Sequence, residues 1–174
     1  MLREQINQDI KKAMQEKDEL PLLVLRGINA AIHNKEIEKR TKLSKTEKDI
    51  KKLEEMSKLN EEEVIEVIFS EAKKRKDAIV EFSAHGGSAS GGEKEKIENV
   101  IKKEKSELEI IKKYLPEQMS EEQIREEAKK AIEEVGAAGL KDTGKVMATL
   151  MPKVKGKTEG GVVSKIVGEL LKGD

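Results

Sequence analysis

Leu108-Glu109-Ile110-Ile111-Lys112-Lys113-Tyr114-Leu115-Pro116-Glu117-Gln118-Met119-Ser120-Glu121-Glu122-Gln123-Ile124 decides how the chain is organised. Its first part closes a helix: Ile97, Ile101, Leu108, Ile111 and Leu115 recur mostly at three or four positions, close to a heptad seam. Leu115-Pro116 ends that run, because proline has no amide to donate and drives the residue before it out of helical geometry. Just beyond, Ser120 with Gln123 reads as a capping box that starts a new helix. The junction predicts an N-terminal helical domain over 1–115 and a C-terminal domain over 116–174.

Upstream, Glu93 to Tyr114 is predicted as one long helix, and Asn60 with Glu63 opens another whose stripe is Val64, Ile68, Ala72, Ile79 and Phe82, ending towards Ser83. Between them His85-Gly86-Gly87-Ser88-Ala89-Ser90-Gly91-Gly92 has no side chain to hold a core and reads as a mobile connection. The two helices are therefore expected to form an antiparallel hairpin. Nearer the start, Leu2, Ile6, Ile10 and Met14, with Ala13 beside them, line one face of a first helix. Asp18 is placed to cap a second, with Pro21 in its first turn, Leu22, Leu25, Ile28 and Ile32 as its stripe, and an end near Lys39. From Arg40 to Asn60 the apolar anchors are only Leu43, Ile50, Leu53 and Met56, and Ser44 with Glu47 predicts a short capped surface helix.

Downstream, Ile124, Ala128, Ala131, Ile132 and Val135 form a stripe that Gly136 stops. Asp142 or Thr143 is read as the cap of a short helix holding Val146, Met147, Leu150 and Met151, which Pro152 and Gly156 bring to an end. Thr158 is read as the cap of the last helix, whose Val162, Val163, Ile166, Val167, Leu170 and Leu171 make a stripe broad enough for two partners. The fold class is all-α, with an N-terminal region carrying the long hairpin and a small C-terminal three-helix bundle.

Lysine plus arginine number 35 and aspartate plus glutamate 35, so the chain as a whole is no generic polyanion binder and any nucleic-acid site must be local. Without cysteine there is no disulfide, thiolate metal site or cysteine nucleophile, and the cytoplasm is the expected compartment. The opening Met1 to Gln5 lacks a signal peptide's apolar core, and no apolar run reaches the roughly 20 residues of a membrane span. Phe69, Phe82 and Tyr114 are the only aromatic residues, which argues against stacking single-stranded bases on a row of rings.

Positive charge is concentrated in one place. From Lys141 to Lys157 there are five lysines and one acid, Asp142. Gly144, Lys145, Lys153, Lys155, Gly156 and Lys157 are the candidate RNA-binding residues: lysines at helix ends and turns suit phosphate oxygens, and glycines let backbone amides approach them. Lysines near a helix C-terminus also simply offset its dipole, and composition does not separate the two roles. Gly144-Lys145 lacks the remainder of a P-loop, so nucleotide hydrolysis is set aside. His33 and His85 have no partner at metal-ligand or triad spacing, and the acidic pairs read as solvated helix faces; Arg26, Arg40 and Arg75 could line an inter-helix groove, although a snorkelling arginine is the commoner case. No catalytic residue, metal or cofactor is predicted.

Three stretches carry a resemblance: Leu25-Arg26 through Ala30-Ala31-Ile32-His33-Asn34-Lys35-Glu36-Ile37, Glu71 through Phe82, and Tyr114-Leu115-Pro116-Glu117-Gln118 leading into the glycine and lysine segment. On these the sequence resembles the YqeY family, which is similar to the tail domain of GatB, the B subunit of tRNA-dependent amidotransferases. The resemblance implies an accessory tRNA-binding module under the family label of carbon-nitrogen ligases with glutamine as amide donor, with tRNA and possible synthetase or amidotransferase subunits as partners. No amidase signature or nucleotide motif supports amide-transfer activity by this chain alone. The alternative is a helical adaptor whose hairpin docks onto a synthetase or an amidotransferase without RNA.

Overall fold

The computed structural model describes residues 1–86 and 91–172. Residues 87–90, the middle of the predicted glycine-rich connection, lie outside the described residues, as do 173 and 174. Among the described residues there are eight α-helices, one 3-10 turn at Leu140–Asp142 and no strand: α1 Leu2–Glu16, α2 Glu19–Leu43, α3 Ile50–Ser57, α4 Glu61–Gly86, α5 Gly92–Lys112, α6 Glu121–Val135, α7 Thr143–Val154 and α8 Gly160–Lys172. The chain divides into two compact units, which part between Tyr114 and Leu115.

In the first unit, Ile6 and Ala13 of α1, Val24, Leu25, Ile28 and Ile32 of α2, Val64, Val67, Ile68 and Ala72 of α4, and Leu108 and Ile111 of α5 are buried together with Leu53 of α3. Helix α4 begins with the capping box expected of Asn60 and Glu63: the Glu63 amide donates to Asn60 Oδ1 and the Asn60 amide to Glu63 Oε2, each at 2.9 Å. Its partner α5 runs antiparallel, since Gly86 lies against Ile97 while Arg75 reaches back to Glu107. Tyr114 is 8% exposed at the end of this unit and donates its hydroxyl proton to Asp9 Oδ2 at 2.7 Å. Burial and then that carboxylate push the phenol above its ordinary pKa.

In this unit three boundaries differ from the sequence reading. Helix α2 does not stop near Lys39 but runs to Leu43, and Ser44 is its C-cap rather than the start of a new helix. The short helix that follows is capped instead by Asp49, whose Oδ1 accepts the Lys51 and Lys52 amides at 2.9 and 3.1 Å. Helix α4 continues past Ser83 to Gly86, taking His85 into its last turn.

The second unit is a three-helix bundle in which α6, α7 and α8 each pack on the other two. Ile124, Ala128 and Ala131, then Val146, Leu150 and Val154, then Val163, Ile166 and Val167 form its core. Ser120 and Gln123 make the predicted capping box on α6, and Gly136 ends that helix at φ 60, a left-handed conformation natural to glycine. Pro152 does not end α7. It lies in the last turn, where its missing amide removes a single helical bond, and the helix continues to the buried Val154. Helix α8 starts at Gly160, so Glu159, one residue later than the predicted Thr158, stands just before it, its carbonyl accepting the Val162 and Val163 amides at 3.0 and 3.2 Å.

Candidate nucleic-acid interface

The glycine and lysine segment spans α7 and the turn that follows it, all within the second unit. Gly144 is exposed in the first turn of α7, and nothing lies within 4 Å of the place a Cβ would occupy. Lys145, one residue on, donates to Asp142 Oδ1 at 2.9 Å, and the other carboxylate oxygen of Asp142 accepts the Ala138 amide at 3.2 Å. These contacts, Lys145 first, hold the Asp142 carboxyl below its usual range and raise the Lys145 ammonium.

Eight positions further along α7, about 12 Å at helical rise, Lys153 crosses to α6 and pairs with Glu134 Oε2 at 2.8 Å. Lys155 is exposed immediately past the helix end. Gly156 is buried, with φ 74, so its own turn demands glycine. Its carbonyl accepts Gln118 Nε2 at 3.1 Å, and the next carbonyl, of Lys157, accepts the Met119 amide at 2.9 Å. The Pro116–Met119 segment therefore clamps the turn that presents Lys155 and Lys157.

Lys153 and Lys157 line one groove of about 480 Å³ together with Gln118, Gln123, Glu126 and Glu127. The groove is mixed in charge. Glu127 is held below its usual pKa chiefly by a hydrogen bond from Lys130, with Lys153 and Lys157 adding to the positive field. Of the six predicted residues, the structure brings Lys153, Gly156 and Lys157 together at one end of α7, with Lys155 between them, and leaves Gly144 and Lys145 at the other end. Glu134 and Asp142, which tie up two of the lysines, had no signal in the basic segment itself beyond Asp142 being its single acid.

The first unit holds a separate groove of about 720 Å³ between α2 and α4, with Gly27, Ala31 and Val67 among its lining residues. Lys39 closes it by pairing across to Glu63 at 2.8 Å, and along its α2 wall Lys35 and Lys42 both bond Glu38, which drops to a pKa of about 2. Of the three arginines, Arg75 takes the inter-helix place and not the snorkelling one: it is the centre of a partly buried cluster with Glu104 and Glu107 of α5. His33 is exposed, and His85 Nδ1 lies 2.8 Å from the Glu81 carbonyl in the same helix. Among the described residues no three His, Asp or Glu side chains gather in a metal-holding group, and no helix is long and apolar enough to cross a membrane.

Two comparisons bear on identity. The chain is similar to Altered inheritance of mitochondria protein 41, mitochondrial, of Kluyveromyces lactis, at 32% identity over 109 residues, which are 63% of this chain and 45% of that protein. The match thus spans less than half the length of that relative. Among protein families, the one described as Yqey-like protein matches residues 3–171, covering both helical units and the whole lysine segment. The chain belongs to the YqeY family.

Proposed function

We propose that the protein is an accessory tRNA-binding module, related to the tail of glutamine-dependent amidotransferases, that holds backbone phosphates with Lys145, Lys153, Lys155 and Lys157. The observation that supports this reading is the clamped turn: a left-handed, buried Gly156 and two hydrogen bonds from Gln118 and Met119 fix the backbone between Lys153 and Lys157, which share a groove. Fixed lysines beside an α-helical scaffold suit phosphates of a folded RNA surface, and the lack of aromatic residues in the segment removes stacking as the means of recognition. Ammonia release and acyl activation fall to partner subunits in this reading, and translation in the cytoplasm is its setting.

The test is tRNA binding by the native chain and by the Lys153→Glu, Lys155→Glu, Lys157→Glu triple variant across a salt series. All three side chains are exposed, so the variant keeps its core. Loss of three phosphate contacts lowers the slope of log affinity against log salt by about two to three. Equal affinity and slope in both proteins would refute the site.

One observation favours an adaptor role. Beyond Arg75 on α4 and before Glu104 on α5, no described residue of the hairpin is buried, and Val80 and Phe82 are 69% and 37% exposed. A protein partner retained after nuclease treatment at high salt, and lost on Val80→Glu, would support that reading over RNA binding.

A further inference from the structure

We infer that Glu134 and Asp142 are built-in competitors for RNA phosphate, carboxylates that occupy two of the site's lysines until a ligand with several phosphates displaces them; this rests on the reading under Proposed function. Lys153 and Glu134 meet at 2.8 Å across two helices, with their side chains 43% and 56% exposed. Lys145 and Asp142 meet at 2.9 Å, with Lys145 itself 71% exposed. Both ties are thus open to solvent and breakable. An exposed ion pair discounts binding by a factor of only about 1.4 to 5.

That size has a consequence for selection. A single phosphate that lands on Lys145 or Lys153 gains one contact and loses one ion pair, so it gains little there. A folded RNA offering several phosphates also engages Lys155 and Lys157, and the discount on each contact is small beside the sum. The pairs therefore select for phosphate density and keep this electrically balanced chain from holding scattered anions. The two ties differ in firmness. Asp142 is also fixed by the Ala138 amide, so it stays in place when Lys145 leaves, whereas Glu134 reaches Lys153 from the exposed face of α6.

The experiment compares unfractionated tRNA binding by the full chain, Glu134→Gln and Glu133→Gln over about 50 to 200 mM salt. Glu133 is the exposed neighbour on α6 with no ion-pair partner among the described residues, so its variant changes net charge by the same amount without releasing a lysine. Lys153 meets phosphate in the native chain too, once Glu134 is displaced, so removing the competitor takes away the displacement cost and adds no contact: Glu134→Gln tightens binding by about 1.4- to fivefold at low salt relative to Glu133→Gln, with the salt slope unchanged in both. Inorganic phosphate at the same concentrations does not displace tRNA from the native chain. If the two variants behave alike while the triple lysine variant still loses tRNA, the competitor role is overturned and the binding site stands. If the triple variant binds as the native chain does, the site and its competitors fall together.

Discussion

Replacing Arg75 with methionine should unfold the N-terminal unit well before the C-terminal one. Arg75 Nη2 lies 2.9 Å from Glu107 Oε2 and Nη1 lies 3.5 Å from Glu104 Oε2, with the Glu107 side chain only 5% exposed and Glu104 16%. Without the guanidinium, two carboxylates one turn apart stay in the α4–α5 interface, and among the described residues Glu107 keeps only Lys103, at 3.9 Å, as a counter-charge. Breaking a buried pair by deleting one partner costs about 3–5 kcal/mol. Arg75 is one-third exposed and Lys103 remains, so the expected cost is about 2–3 kcal/mol, or about 8–12 °C in Tm for a unit of this size.

Tyr114 is the chain's one tyrosine and there is no tryptophan, so tyrosine emission follows the first unit alone while far-ultraviolet dichroism follows both. Urea unfolding read by the two signals assigns the loss. Arg75 Nε and Glu104 Oε2 are buried without a hydrogen bond among the described residues, so the cluster is incompletely satisfied as it stands. An apolar replacement of the pair, Arg75→Met with Glu107→Leu, should therefore recover most of the stability, giving a coupling of about 2 kcal/mol or more. A single-variant cost below about 1 kcal/mol, or a double variant as unstable as the two losses added, would refute the assignment of these charges to the interface.

Other outcomes follow from the same structure. Ser120→Ala removes the side-chain acceptor of the Gln123 amide and should cost the C-terminal unit about 1 kcal/mol in urea unfolding, against almost no change for Ser164→Ala on the exposed face of α8. Gly156→Ala places a Cβ at φ 74 and should cost about 1–2 kcal/mol while weakening tRNA binding with no change in charge, as seen by titration of the folded variant. Asp142 has its folded pKa depressed, so its tie to Lys145 contributes stability above the ordinary carboxylate value near 3.9 and loses it as pH falls through the folded value. Acid titration of Asp142→Asn beside the native chain should show that difference vanish at low pH and persist at neutral pH.

Local signals in the sequence were legible where one short pattern had no competitor. Ser120 with Gln123, Asn60 with Glu63 and the left-handed Gly136 each fix a helix end within a few residues. Around Ser44 two such patterns overlap. Ser44-Lys45-Thr46-Glu47 and Asp49 both offer an N-cap, and the choice is made from outside the segment: α2 is prolonged by the Lys39–Glu63 and Lys42–Glu38 pairs, so Ser44 serves its C-terminus and Asp49 takes the next start. The same holds for Pro152, where burial of Val154 in the bundle outweighs one lost hydrogen bond. In the candidate site, charge density was visible from composition, but Glu134 is 19 positions from Lys153 and meets it only because α6 and α7 pack together.

Side-chain pairing also changes what the lysine count means. Five lysines against one acid suggest a strongly positive surface, yet carboxylates from α6 lie beside the groove that Lys153 and Lys157 share, and two of the candidate lysines already hold an acid. Such a surface binds a polyanion through exchange of partners instead of unopposed attraction, so each contact is worth less and the number of simultaneous contacts matters more. Geometry then becomes the limiting quantity. The Gly156 turn is held by Gln118 and Met119 from the segment just after Pro116, which ties the spacing of Lys153 and Lys157 to the entrance of α6. The proline junction accordingly does two jobs in the folded chain: it ends the run of α5, and its following residues set the positions of the ammonium groups on which the proposed RNA contact would depend.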